Sequence, residues 1–282
     1  MEPDPEVARK SRPTSAHPPR NRRSVGPVVS ARIQSIERAA AVLGLLTGRS
    51  RRRGVVDLAD ELDLPKGTVH GILRTLKAVG FVEQDHESGK YQLGAALLPI
   101  GSSYLDGNEL RRRSIAWADA LATQAGESVW IGTQHQRLVL VVHHVLPPGG
   151  PLQKLEVGRS MPLHATALGK ALLAHDRDVA GELASGGLMG YTSATVTDPD
   201  RLAEQLEVIT ARGWADDAAE FMPGIASIAA PVRGHGRGVL GAIAIAGPVE
   251  RICEGCTPRS ELVGYVMEGA LRVSRELGGG AW

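Results

Sequence analysis

Five polar residues recur along one short stretch of this 282-residue chain: Lys66, Thr68, His70, Arg74 and Lys77. They interleave with Val69, Ile72, Leu73, Leu76 and Val79, which repeat every three or four residues. That period puts the two sets on opposite faces of a helix. The polar face carries groups suited to nucleic acid. Lys and Arg neutralise phosphate charge, and Thr, His and Arg hydrogen-bond to base edges. Lys66, Thr68 and His70 fall near the helix N-terminus, where free backbone N–H groups also attract an anion. Taken alone, the same pattern also fits an ordinary helical hairpin with solvated polar residues.

Other reactive residue types are less informative. His143 and His144 are adjacent on an expected strand, so their side chains point to opposite faces and are poorly placed to share an ion. His164 precedes an expected helix, where it would cap, pack or line a pocket. Cys253-Glu254-Gly255-Cys256 is a C-x-x-C, the spacing of a redox pair or half a zinc site. No second such pair completes four ligands, so two loop cysteines without a role is the default reading. Asp216 and Asp217 are neighbouring carboxylates with no acid–base partner spaced to meet them. The chain has no Gly-x-Ser-x-Gly elbow, phosphate-binding loop or dinucleotide fingerprint. No enzymatic activity, metal or cofactor is expected.

The elements that would hold the polar helix are legible around it. Val56, Leu58, Ala59 and Leu62 mark a short preceding helix. Asp63-Leu64-Pro65 breaks it, and Pro65 suits the first position of the next helix. This is a helix-turn-helix, which leaves one face of its second helix free for the major groove. Ile33, Ile36, Ala40, Leu43 and Leu46 mark an earlier supporting helix. Between the two, Thr47 to Gly54 is a basic break that either touches the DNA backbone or is a polar turn. Phe81 to Gln84 and Tyr91 to Leu93 are short extended runs around a turn-rich loop. They make a wing whose core Phe81 and Leu93 should close, with His86 and Lys90 at its tip.

Residues 1–93 hold 16 Lys and Arg against 11 Asp and Glu, whereas the rest of the chain holds 16 against 20. A basic front on an acidic remainder fits one part for a polyanion and another for a different ligand. Residues 1–30 are rich in Pro, Arg and Ser, so a disordered basic tail is expected, with Arg20, Arg22 and Arg23 available as a loose arm. The sequence shows no membrane-spanning run, secretory signal or disulfide framework, and a cytoplasmic location is expected.

Farther along, Leu93 to Ser103 reads as a linker helix. Leu110 to Ala125 reads as another, with Ile115, Ala118, Leu121 and Ala122 on one face. Strands are expected at Ser128 to Thr133, Leu138 to Val145, Leu155 to Val157, Ser227 to Val232 and Val239 to Ala246. Helices are expected near 164–174, 200–212 and 260–277. This order points to an α+β domain with a central antiparallel sheet. The organisation is therefore a tail at 1–30, a mainly-α winged helix-turn-helix domain at 31–93, a linker helix at 94–108 and a larger domain at 109–280.

The run IQSIERAAAVLGLL followed by DLADELDLPKGTVHGILRTLKAVGFVEQDHESGKYQLG resembles the DNA-binding domain of the IclR family of bacterial transcriptional regulators. PLHATALGKALLA, YTSATVTDPD, RGWADDAAEFMPGIASIAAPV and GAIAIAGP resemble, in order, that family's effector-binding domain. KGTVHGILRTL, GFVEQD, YQLGA and VVHHV resemble the glycerol-operon regulators within it. The resemblance implies a GAF-like effector domain, dimers or dimers of dimers, and a ligand-responsive repressor of an operator. Glycerol or a glycerol phosphate is the implied effector. By motif position its pocket would be walled by Ala167, Leu168, Asp217, Ser227, Ala244 and Ala246. DNA contacts fall to Lys66, Thr68, His70, Arg74, Lys77 and Lys90.

Some positions depart from the family pattern. Ser227 replaces a frequent Cys, and Ala244 and Ala246 replace hydroxyl donors that hold small carboxylates. Losing those donors makes a carboxylate harder to desolvate, which favours a neutral, larger or more apolar ligand. Alternatively an anionic end lies elsewhere, near Lys154, Arg159 or Lys170. Gly71 stands where Arg is common and Gly67 where Ser is usual, which leaves Arg74 as the best candidate for a guanine or phosphate contact. Two other readings stay open: a small-molecule enzyme with an auxiliary DNA-binding domain, and a metal or redox sensor through Cys253 and Cys256.

Overall fold

A computed structural model describes residues 33–47, 52–147, 149, 156–255 and 257–279. The expected tail with Arg20, Arg22 and Arg23, the basic residues at 48–51, Lys154 and Cys256 lie outside the described residues. The chain divides into two compact units, one up to Ala96 and one from Leu97.

The first unit holds α1 (Gln34–Leu46), α2 (Val55–Leu62), α3 (Lys66–Ala78) and a hairpin of β1 (Val82–Gln84) and β2 (Tyr91–Leu93). The Asp57 carboxylate accepts the Gly54 N–H at 3.0 Å and so caps the start of α2. α2 stops at Asp63, which turns the chain at a left-handed φ of 51°. Asp tolerates that region better than most residues. Pro65 then stands just before α3 as its cap, not inside its first turn.

Val42, Leu46, Leu58, Ala59, Val69, Leu73, Leu76, Val82 and Tyr91 form one apolar core. Several expected core positions differ. Ile33 and Ile36 are 62% and 63% exposed, because α1 packs through Val42 and Leu46. Val56 and Val79 also face outward. The wing closes on Val82 and Tyr91, leaving Phe81 and Leu93 half-buried. Phe81 precedes the paired strand, and Leu93 ends it. Arg53 exchanges two backbone hydrogen bonds with Tyr91, at 2.9 and 2.8 Å, so part of the basic loop is a third short rung of the wing. Gly94 follows the wing where a Cβ would stand 2.2 Å from the Gly80 carbonyl oxygen, a position open only to glycine.

The second unit begins with α4 (Leu97–Gly107) and α5 (Glu109–Ala125), and α4 starts a turn later than expected. No residue of α4 is buried, and Leu98, Ile100 and Tyr104 are exposed along it. Then come β3 (Ser128–His135), β4 (Leu138–Val145), β5 (Ser160–Pro162), α6 (Ala167–Leu173), α7 (Arg177–Gly186) and α8 (Pro199–Arg212). β6 (Ala215–Ala218), β7 (Ile225–Arg233), β8 (Val239–Pro248), α9 (Val249–Ile252) and α10 (Ser260–Glu276) follow. β3 to β8 form one antiparallel sheet in the order β5-β4-β3-β8-β7-β6.

Side chains alternate across this sheet as the two-residue period requires. Val129, Ile131, Ile243 and Ile245 face α5 and α10, whereas Trp130, Ala242 and Ala244 face α6 and α8. The strand expected at 155–157 is not present at 156–157, which form part of a turn, and the edge strand is Ser160–Pro162. α6 begins at Ala167, not at 164, because Thr166 caps it by accepting the Gly169 N–H. No helix among the described residues is long and apolar enough to cross a membrane.

Candidate functional site

α3 turns Val69, Leu73 and Leu76 into the core of its unit and leaves Lys66, His70, Arg74 and Lys77 exposed, with Thr68 half-buried. Its first turn has no acidic residue to oppose an anion at the N-terminus. A Cβ at Gly67 or Gly71 would meet nothing within 4 Å, so packing does not require glycine at either place. Lys77 Nζ donates to Gln84 Oε1 at 3.1 Å, and Gln84 Nε2 donates to the Gly89 carbonyl at 3.0 Å. This pair ties the end of α3 to the wing turn. Asp85 shapes that turn by accepting the Ser88 N–H and hydroxyl, and it pairs with Arg52 at 2.9 Å. Arg53 pairs with Glu61. Lys90 and His86 remain exposed at the wing.

A second site arises from strand register. Asp217 lies opposite Ser227, Ser227 opposite Ala246, and Ala246 opposite Ser128. The next row on the same face runs Ala215, Ala229, Ala244, Trp130 and His144. Small residues along both rows leave a small pocket on this face of the sheet. Leu168, Asp217, Ser227, Ala244 and Ala246 line it, together with Trp130, Met161, Thr166, Phe221, Met222 and Ile225. Ala167 takes part through its backbone, donating its N–H to Asp217 Oδ2 at 2.9 Å. The start of α6 is held close to the preceding chain, since a Cβ at Gly169 would stand 2.2 Å from the Leu163 carbonyl oxygen.

Asp217 is buried and also accepts the Ser227 hydroxyl. Burial pushes its pKa up to about 6, against the pull of these two hydrogen bonds and of Lys170. The folded protein therefore binds this proton more tightly than the unfolded chain. That contribution to stability is full below the ordinary carboxylate range and is lost as pH rises through about 6. Asp217→Asn abolishes the titration. The melting-temperature difference between variant and wild type should thus move in the variant's favour from about pH 5 to about pH 8. A difference that stays constant across that range would contradict the burial argument.

Two cations raised in the sequence analysis are not free for a ligand's anionic end. Lys170 is buried, with Nζ 2.5 Å from Glu220 Oε1 and 3.4 Å from the Asp216 carbonyl. Arg159 lies 5.4 Å from the Phe221 ring centroid and 3.8 Å from Glu156. Asp216 points away from Asp217 and pairs with Arg212.

An open groove adjoins the cavity and shares Trp130, Met222, Ile225 and Ala246 with it. Its polar wall holds Glu127, His144, Glu156, Arg159 and Arg251. Arg251 grips Glu127 through two hydrogen bonds, at 2.5 and 2.8 Å. The His144 pKa is lowered to about 4, chiefly by burial. His143 faces the opposite side of the sheet, near Arg111 and Asp119. His164 bonds the Met189 carbonyl at 2.9 Å and so serves the local fold. Cys253 is buried at the start of the two-residue strand β9 (Cys253–Glu254). No three His, Cys, Asp or Glu side chains converge among the described residues.

The sequence reading missed Trp130, Met161, Thr166, Phe221, Met222 and Ile225 as cavity residues. Alternation along β3 puts Trp130 on the face opposite Val129 and Ile131, but only register with β8 brings it beside Ala244.

Family models match both units. The model described as "Bacterial transcriptional regulator IclR C-terminal" covers residues 102–275, and that of the IclR helix-turn-helix domain covers residues 35–86. The glycerol operon regulatory protein of Streptomyces coelicolor is 51% identical over 248 residues, spanning 88% of this chain and 98% of that protein. The protein of the same name from Streptomyces griseus is 50% identical with the same coverage. The crystal structure of an IclR transcriptional regulator from Alicyclobacillus acidocaldarius superposes with a TM-score of 0.74 at 27% identity, over 86% of this chain and 98% of that one. The chain belongs to the IclR family of bacterial transcriptional regulators.

Proposed function

We propose that the protein is a transcriptional repressor that reads an operator with α3 and its wing, and whose operator affinity is set by a small hydroxylated effector in the cavity beside Asp217. The observation that carries this reading is the exposed cationic face of α3, backed by an apolar core, in a chain half identical to two glycerol operon regulatory proteins. Lys66, Thr68, His70 and Arg74 serve as the base and phosphate contacts, and Lys77 and Lys90 as phosphate contacts from the helix end and the wing. Two copies acting as a homodimer would set two α3 helices in successive major grooves. The exposed apolar side chains Leu98, Ile100 and Tyr104 of α4 and Ile33 and Ile36 at the start of α1 support self-association. Such a regulator works in the cytoplasm, and the cavity is a receptor rather than a catalytic centre.

Between glycerol and a glycerol phosphate, the surroundings of the cavity favour glycerol. Asp217 carries negative charge above about pH 6 and then accepts hydroxyl protons but repels an anion. Ala244 and Ala246 supply no donors for a carboxylate. The effector changes DNA affinity only by binding one arrangement of the protein better than another.

Arg74→Ala tests the DNA contact. If Arg74 grips a base, discrimination between operator and mismatched DNA should fall by about 1–3 kcal/mol. If it grips a phosphate, the slope of log affinity against log salt should flatten by about one unit. Fluorescence anisotropy with labelled DNA measures both, and unchanged binding removes Arg74 from the interface. Asp217→Asn should move the midpoint of the effector dose response in the same assay. A wild-type response would place the effector elsewhere.

A further inference from the structure

We propose that Trp130 and His144 form a paired N–H donor subsite, at the point where the cavity opens into the groove, that takes the oxygen atoms of a neutral, hydroxyl-bearing effector. The proposal rests on reading this cavity as the effector site and adds what recognises the ligand there. The two residues face each other across β3 and β4, and their rings lie in contact, tilted by 31° with centroids 4.1 Å apart. Trp130 is 8% exposed and His144 4% exposed. Among the described residues, neither Trp130 Nε1 nor His144 Nε2 has a hydrogen-bond partner. Both rings line the groove, and Trp130 lines the cavity as well. Buried N–H groups are nearly always paired, so two unpaired ones side by side point to a ligand that pairs them.

Their polarity is fixed by what surrounds them. The Glu156 backbone N–H donates to His144 Nδ1 at 3.1 Å, so Nδ1 is an acceptor and carries no proton. Burial keeps the ring neutral, which leaves the proton on Nε2. An indole nitrogen can only donate. The subsite thus offers two donors and no acceptor, and it complements oxygen lone pairs.

Charge decides between a neutral oxygen and an anion. The charged residues lining the groove are Glu127, Glu156, Arg159 and Arg251. They are paired as Glu127 with Arg251 and Glu156 with Arg159, and Asp217 adds a carboxyl group in the adjoining cavity. Among the described residues, no surplus positive charge faces the subsite. A hydroxyl fits this setting, since its oxygen accepts from Trp130 or His144 and its proton turns to a carboxylate. Trp130 also lies opposite Ala244 in the register, so its N–H brings a donor to a row whose β8 position has no hydroxyl.

The test uses the full chain labelled with ¹⁵N in the indole nitrogens of its four tryptophans. Trp130→Phe identifies the Trp130 resonance by removing it. Glycerol should move that resonance downfield, and glycerol 3-phosphate should do so less at equal concentration. By calorimetry, Trp130→Phe and His144→Phe should each weaken glycerol binding by about tenfold. The resonance arm reads the wild-type protein and so does not depend on either variant folding. A Trp130 resonance that stays still while glycerol alters operator binding overturns the subsite and leaves the receptor reading intact. A response to glycerol 3-phosphate alone overturns the neutral ligand class. If neither compound moves the resonance or changes operator binding, both the subsite and the effector reading fall.

Discussion

Leu73→Ala should remove about 2–5 kcal/mol from the stability of the N-terminal unit and abolish operator binding at ordinary temperatures. Leu73 is fully buried, in the core that joins α1, α2, α3 and the wing. Truncation there loses both the transfer energy of the side chain and the packing around the cavity left behind. A unit of this size has total stability of only about 3–9 kcal/mol, so one such loss takes a large share of it. The second unit has separate cores and does not depend on Leu73. Calorimetry of the full chain should show the transition of the first unit lowered or missing and that of the second unchanged. An unaltered first transition would mean that α3 packs through a different face, and the DNA-facing assignment of Lys66, His70 and Arg74 would fall with it.

Lys170→Met should destabilise the second unit by about 3–5 kcal/mol, because it strips a buried carboxylate of the one cation paired with it among the described residues. Lys170 is 1% exposed and Glu220 7% exposed, and Glu220 Oε2 already lacks a hydrogen-bond partner among the described residues. Glu220 also raises the pKa of Asp217, while Lys170 lowers it. The single variant therefore takes the Lys170 charge away from both the Glu220 and the Asp217 carboxyl groups. Lys170→Met combined with Glu220→Leu removes both buried charges and should recover much of the loss, which a double-mutant cycle in denaturant measures. A single variant as stable as wild type would show that water reaches the pair.

How much of this was legible beforehand depends on where each feature gets its cause. The face of α3 was readable because its period is local and Asp63 and Pro65 punctuate it. The strands at Leu138–Val145 and Val239–Pro248 were readable from their apolar, β-branched runs. β6 was not, because its residues Ala-Asp-Asp-Ala have low strand propensity and become a strand only through pairing with β7. Lys170 looks like a surface lysine on a short helix until Glu220, fifty positions later, meets it. Ile33 and Ile36 have helical spacing, yet they lie on a side of α1 that its own unit leaves uncovered. The motif positions Leu168, Asp217, Ser227, Ala244 and Ala246 come together in one cavity, whereas Trp130 joins them through strand register, which no local pattern encodes.

The proposed regulator couples a cationic reader in the first unit to a receptor cavity in the second. Full-length protein titrated onto labelled DNA from upstream of its own coding region, across a salt series with and without glycerol, tests this most directly. Affinity should fall steeply with salt, favour that DNA over scrambled DNA, and shift when glycerol is present. Binding that ignores DNA sequence, or that glycerol and its phosphate leave unmoved at every salt concentration, would contradict it.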